Sequence, residues 1–234
     1  MTIPIVHKTP ANPHAAAQNR RAFDRHGLIC LNLVGSVGTG KTCLLEAVLP
    51  RLHQELRVGV IAGALATTCD AERIGALGVP VVQVLTDGHC HLSAAQVQAG
   101  LRELPLADLD LVIVENLGSL TCQATADLGE HLRVAVLSVS GGAVATKYPH
   151  VFRTARLILV TKCDLLPHVQ FDLQAALDQL RELNPSAEII CTDTHSRTGI
   201  ARLAGWLLGY VRVQSRRALL RPAAAPAALL GLPV

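Results

Sequence analysis

Aromatic residues are scarce in this chain of 234 residues: Phe, Trp and Tyr together make up 3%. With 50% of positions hydrophobic, the core falls to Val, Ile, Leu and Ala, as in parallel sheets covered by helices on both faces. Charge is also sparse, at 17% of residues with a formal net charge of +3, which excludes the highly charged, weakly hydrophobic composition of a disordered chain. So mild a positive balance, with 4 Lys against 17 Arg, gives no argument for a nucleic-acid partner. No run reaches the roughly 18 apolar residues that a membrane span needs, so no membrane partner is expected. The opening MTIPIVHKTPANPHAAAQNRR lacks a basic segment followed by an apolar one, so no secretory signal is expected. There is no C-x-x-C pair. The 7 cysteines are odd in number and scattered, which fits reduced thiols in a cytoplasm better than a disulfide framework.

What is present is alternation. Leu28–Val34 is apolar and bounded by Gly27 and Gly35, which reads as a buried strand. Further strands are predicted at Arg57–Ala62, Val79–Val84, Leu109–Glu115, Leu132–Val139, Arg156–Thr161 and Ala187–Thr192. Helices are predicted at Lys41–Leu56, Asp70–Leu77, Leu92–Leu104, Phe171–Leu183 and Thr198–Val213, with a short amphipathic one at Ala15–Asp24. Strands alternating with helices mean βαβ units, and their right-handed crossovers build a three-layer α/β fold on a mainly parallel sheet. The expected organisation is an N-terminal extension with a short helix (1–27), a nucleotide-binding domain (28–213) and a flexible C-terminal tail (214–234).

Gly35-Ser36-Val37-Gly38-Thr39-Gly40-Lys41-Thr42 satisfies G-x-x-x-x-G-K-[ST] between a strand and a helix, the signature of the P-loop NTPase fold. Glycines let backbone N–H groups turn inward around phosphate oxygens, and the helix start adds positive dipole character. In such a loop Lys41 reaches the terminal phosphates and the Thr42 hydroxyl ligates Mg²⁺. Downstream, Thr161-Lys162-Cys163-Asp164 resembles the N-K-x-D motif of GTPases, with Thr161 in place of Asn. An Asp there accepts two hydrogen bonds from guanine that adenine does not offer, and charged hydrogen bonds carry about 1.5–3 kcal/mol each. GTP is therefore the expected nucleotide. Asp70 and Glu115 are candidates for the Mg²⁺ and catalytic region, although Asp70 reads equally well as the N-cap of its helix.

Asp87-Gly88-His89-Cys90-His91 follows a strand, and Cys122 lies just past the strand ending at Glu115. Loops leaving the same edge of a parallel sheet converge, and thiolate with imidazole suits Zn²⁺ or Ni²⁺. Spacing alone leaves this signal weak, since isolated cysteines are usually small buried hydrophobes. Cys30 and Cys43 are read that way.

From about Ala11 to Tyr210 the chain resembles the HypB-type hydrogenase nickel-incorporation GTPases, relatives of the urease accessory protein UreG in the SIMIBI class of P-loop GTPases. The carriers are AAAQNR near the start, the P-loop with LLE after it, Asp70-Ala71-Glu72-Arg73-Ile74, Cys90-His91-Leu92, Glu115-Asn116-Leu117-Gly118, Cys122, Asp127-Leu128-Gly129-Glu130, Lys147-Tyr148-Pro149 and Leu183-Asn184-Pro185. The resemblance implies a metal site of Cys90, His91 and Cys122 at the interface of a nucleotide-dependent homodimer, taking Ni²⁺ or Zn²⁺; His89 is an extra residue beside it. It further implies a slow GTPase that delivers nickel to the large subunit of [NiFe]-hydrogenase, with another nickel-binding accessory protein as intermediary. The family carries an acidic pair, E-G-D, after its second strand, where this chain reads Ala62-Gly63-Ala64. Loss of both carboxylates opens the alternative of a GTP-gated metal scaffold with little or no hydrolysis. The acidic or Cys-rich N-terminal motif and the His-rich stretch of some members are absent, so nickel storage is not expected. Ser196-Arg197-Thr198-Gly199 is read as the counterpart of the last guanine loop. A P-loop kinase or synthetase that transfers phosphate to a small acceptor is the remaining rival; it would prefer ATP and give Asp164 no role.

Overall fold

The computed structural model describes residues 3–6, 13–86, 88–123, 126–142 and 144–220. Its eight strands form one sheet in which every pairing is parallel. They are β1 (Ile5–Val6), β2 (Ile29–Gly35), β3 (Val58–Ala64), β4 (Val81–Leu85), β5 (Leu111–Glu115), β6 (Leu132–Ser138), β7 (Leu157–Thr161) and β8 (Glu188–Cys191), arranged β1-β4-β3-β5-β2-β6-β7-β8. The helices are α1 (Ala15–His26), α2 (Lys41–Leu52), α3 (Cys69–Gly75), α4 (Ala94–Arg102), α5 (Leu120–Gln123), α6 (Val144–Lys147), α7 (Pro149–Arg153), α8 (Leu173–Leu183) and α9 (Ile200–Leu220). This is the three-layer P-loop α/β fold expected from the alternation.

The apolar runs follow from burial on both faces of the sheet, because successive side chains point to opposite sides. Leu31 and Leu33 of β2 join Val58, Val60 and Ile113 against α2, α3 and α9. On the reverse face Cys30, Val112 and Val114 pack with Phe23 of α1 and Val97 and Leu101 of α4. Val34, Leu137 and Val160 continue that face beneath α7 and α8. Helix α9 buries Ile200, Leu203, Ala204, Leu207 and Val211, the i, i+3, i+4, i+7 spacing of an amphipathic helix.

From β2 the chain moves to β3, β4 and β5 on one side, then to β6, β7 and β8 on the other. That reversal opens a crevice at the carboxyl ends of the central strands, where the P-loop leaves β2.

Differences from the sequence reading lie at the ends and in the short pieces. Strand β1 pairs Ile5 with Gln83 and Val6 with Val84, a two-residue element with no period to detect. Helix α1 runs through His26 and buries Phe23 in the core shared with β2 and β5, so the segment assigned to an extension contributes to the central packing. Helix α9 extends through Leu220, beyond the boundary drawn at 213, while 221–234 of the expected tail lie outside the described residues. Asp70 is not an N-cap: Thr68 holds that place and Asp70 is the second residue of α3.

Candidate nucleotide and metal site

The P-loop closes over a cleft of about 630 Å³ lined by Gly38, Lys41, Thr42, Asp70, Glu115 and Lys162 among others. Gly38 and Gly40 carry φ of 73° and 87°, the left-handed region in which a side chain is strained, so glycine is required for the turn. Lys41 Nζ donates to the carbonyls of Gly35 (3.0 Å) and Ser36 (3.1 Å), which holds the ammonium at the mouth of its own loop. Burial lowers the Lys41 pKa, against the opposing pull of Glu115 and Asp70.

Thr42 Oγ1 donates to Glu115 Oε1 at 2.6 Å, joining the start of α2 to the end of β5. Burial raises the Glu115 pKa to about 7, against the Thr42 hydrogen bond and the Lys41 charge, which lower it. Its second oxygen, Oε2, is buried without a hydrogen-bond partner. The Thr42 hydroxyl and the Glu115 carboxylate, one oxygen of which has no partner, are hard oxygen donors that fit Mg²⁺ held together with phosphate oxygens. Asp70 lines the same cleft but its carboxylate meets Arg73 at 3.4 Å, and Arg73 is paired with Glu46 at 2.6 Å. Ala62 is buried in β3 and Ala64 lines the cleft.

The residues expected to meet the base follow β7. Thr161 is buried and donates to the P-loop carbonyl of Thr39 at 2.7 Å and to Leu137 O at 3.3 Å. The hydroxyl thus ties the end of β7 to the phosphate loop, a contact its replacement of Asn did not suggest. Lys162 takes φ 61° and passes over the P-loop, 3.9 Å from where a Cβ on Gly40 would sit. Asp164 is exposed. The 193–199 loop is ordered beside it, with the Asp193 carboxylate accepting from His195 N (2.7 Å) and Ser196 N (3.1 Å).

Of the expected metal ligands, Cys90 and His91 adjoin on the loop after β4, with Cys90 Sγ 3.8 Å from His91 Nδ1. Cys90 is exposed; burial, then the neighbouring His89, lowers the His91 pKa and favours the neutral imidazole that binds metals. Cys122 falls on α5, but its side chain lies outside the described residues, as does Asp87. Among the described residues no group of three or more metal-ligating side chains is assembled. The loops bearing Cys90 and Cys122 do leave the same sheet edge, from β4 and β5 on either side of β3.

A residue with no assigned role in the sequence joins the two halves. Asn116 follows Glu115, is buried, and its Oδ1 accepts from Leu92 N at 3.1 Å, directly after Cys90-His91. Asn116 Nδ2 donates to Asn32 Oδ1 at 3.2 Å, and Asn32 Nδ2 reaches Glu130 Oε1 at 3.3 Å. The available signal was Asn32 itself, a lone amide inside the apolar run LICLNLV. Cys43, read as packing, is instead exposed and accepts from Arg73 at 3.2 Å.

Residues 29–191 match the family described as CobW/HypB/UreG, nucleotide-binding domain. The chain is 43% identical over 197 residues to the hydrogenase maturation factor HypB of Escherichia coli K12, covering 84% of this chain and 68% of that protein. The chain belongs to the CobW/HypB/UreG family, on its HypB branch. The crystal structure of the hydrogenase maturation factor HypB from Archaeoglobus fulgidus is similar at TM-score 0.79 and 33% identity, covering 85% of this chain and 97% of that one. HypB from Helicobacter pylori, crystallised in complex with nickel, is similar at TM-score 0.81 and 28% identity, covering 86% and 95%. Family membership accounts for the P-loop cleft and the eight-stranded architecture together.

Proposed function

We propose that this chain is a GTP-dependent nickel metallochaperone for maturation of [NiFe]-hydrogenase. The observation that carries the reading is the connection from Thr42 through Glu115 and Asn116 to Leu92, which places the Cys90-His91 loop one hydrogen bond from the phosphate cleft. Gly35 to Thr42 cradle the phosphates, Lys41 supplies the charge at their end, and Thr161, Lys162 and Asp164 select guanine. Thr42 and Glu115 are the residues that would hold Mg²⁺, which when bound neutralises phosphate charge. Cys90, His91 and Cys122 take Ni²⁺ or Zn²⁺ as cargo, and two copies meeting through those loops form a homodimer that shares it. The nickel-bound HypB of H. pylori supports nickel as cargo, and the maturation-factor relatives support hydrogenase maturation as its use. In this reading the cargo goes to the hydrogenase large subunit through a nickel-binding accessory protein. The reading places the protein in the cytoplasm, with 28–213 as the GTP-binding domain.

Hydrolysis in this reading is slow, with Asp70 and Glu115 serving where Ala62 and Ala64 carry no carboxylate. GTP turnover by the purified chain, with and without Ni²⁺ and against Lys41→Ala, tests it. Turnover above that control, dependent on Mg²⁺, is expected. Saturated GTP binding without turnover would instead establish the GTP-gated metal scaffold that the two alanines favour.

A further inference from the structure

Outside the phosphate and metal loops, two thiols meet beneath the base-recognition loops. Cys163 is the third residue of Thr161-Lys162-Cys163-Asp164, and Cys191 is the last residue of β8, just before Thr192-Asp193. In the β7–β8 ladder Cys191 stands opposite Val160, and Cys163 turns back so that its Sγ donates to Val160 O at 3.5 Å. Cys163 N also donates to Thr192 O at 3.3 Å. Both side chains pack on the same face of the sheet, against the cluster beneath α7 and α8, and both are half-buried. The β7–β8 pairing therefore sets the two cysteines on either side of the same residue, Val160.

We propose that Cys163 and Cys191 are a redox-modification site whose disulfide weakens guanine-nucleotide binding. The oxidant is a low-molecular-weight disulfide such as oxidised glutathione. Cys191 thiolate attacks one of its sulfurs, forming a mixed disulfide and expelling one glutathione thiolate, which takes up a proton. Cys163 then loses its proton and attacks the Cys191 sulfur, releasing the second glutathione. Two protein thiols are oxidised to one disulfide and one glutathione disulfide is reduced to two thiols. The division of labour follows from the surroundings. The neighbouring Cys163, with Arg202 and Arg181 nearby, brings the Cys191 thiol down to about 7, whereas the Cys163 thiol is held well above its ordinary value by Cys191 and by burial. An attacking thiol with a pKa near ambient pH is the effective one.

The effect on nucleotide arises from where the strain goes. An S–S bond is about 2.05 Å long and its Cβ atoms lie about 3.8 Å apart, so the two side chains must close on each other. Cys191 is fixed in the β8 ladder, while Cys163 begins a single 3-10 segment, Cys163–His168, directly after the left-handed Lys162. The turn therefore moves, and Lys162 and Asp164 move with it. The effect on guanine rests on the guanine reading above; the disulfide does not.

Two measurements on the full chain separate these points. Mass spectrometry after equilibration in glutathione redox buffers, with differential alkylation, is expected to show loss of two hydrogens and a Cys163–Cys191 peptide. GDP binding, followed by fluorescence of a labelled analogue, is expected to weaken on the order of tenfold on oxidation and to recover with reductant, the size of an ordinary coupling between sites. Cys191→Ser is expected to lose that redox response; alkylation of the wild type maps the bond without any variant. Persistence of both thiols, or an oxidised pair elsewhere, such as one including Cys90 or Cys122, overturns the site. A mapped disulfide with unchanged GDP affinity overturns the coupling. Failure of the reduced protein to bind GDP at all overturns the guanine reading instead.

Discussion

A Cβ on Gly118 would lie 2.1 Å from Val37 Cγ2 and 2.5 Å from the Val37 backbone nitrogen, so the loop after β5 presses directly on the P-loop. Backbone cannot give way as a side-chain tip can. Gly118→Ala is therefore expected to reduce GTP affinity roughly tenfold or more, about 1.4 kcal/mol, with circular dichroism unchanged. In the proposed reading Asp164 acts by chemistry rather than room. Asp164→Asn replaces an acceptor with a donor, and competition binding should show guanine weakened and xanthine favoured; unchanged nucleotide choice would return the kinase reading. Both positions were visible as motif letters. Thr161 was visible too, but only the structure shows its hydroxyl on Thr39 O, because that contact joins residues 122 apart in sequence.

Between elements, the couplings are polar and local. Asn116 holds Leu92 N and Asn32 together, linking the loop after β4 to β5 and β2. Asn116→Ala removes the partner of Leu92 N and of Asn32 Oδ1, a cost of about 1–3 kcal/mol each. The expected result is a chain that still binds GTP and nickel but whose nickel affinity no longer responds to nucleotide, measured by titration with and without GTP. At the opposite sheet edge Asp110 accepts from Arg57 at Nε (3.1 Å), Nη2 (2.8 Å) and backbone N (2.9 Å), pinning the entries of β3 and β5. The Arg57 hydrogen bonds lower the Asp110 pKa below its ordinary 3.8. A carboxylate depressed in the folded state stabilises it fully above the unfolded value, and that contribution is lost as pH falls through the folded one. The stability gap between wild type and Asp110→Asn, read from urea unfolding, should be under about 1 kcal/mol at pH 7 for this exposed pair and shrink toward pH 3.

Across the whole molecule, α1 decides whether the domain is complete. Phe23 is fully buried between α4 and the sheet, and Gly27, at φ 65°, turns the chain from α1 into β2. Phe23→Ala should cost about 3–5 kcal/mol in chemical denaturation, the usual penalty for emptying an aromatic site in a core. An independently appended segment would show no such loss. The alternation of apolar runs and amphipathic helices was enough to determine a parallel α/β sheet, since burial on both faces writes itself into composition. Glycine spacing with Lys41 and Thr42 determined the phosphate loop, because φ above zero and a terminal charge allow few other residues. The tertiary structure alone decided what those pieces touch. Strand order brings β4 and β5 to either side of β3, so that Leu92 meets Asn116; β7 and β8 pair so that Cys163 and Cys191 both flank Val160. Such contacts depend on chain crossovers and register rather than on local period, which is why neither pairing could be read along the chain.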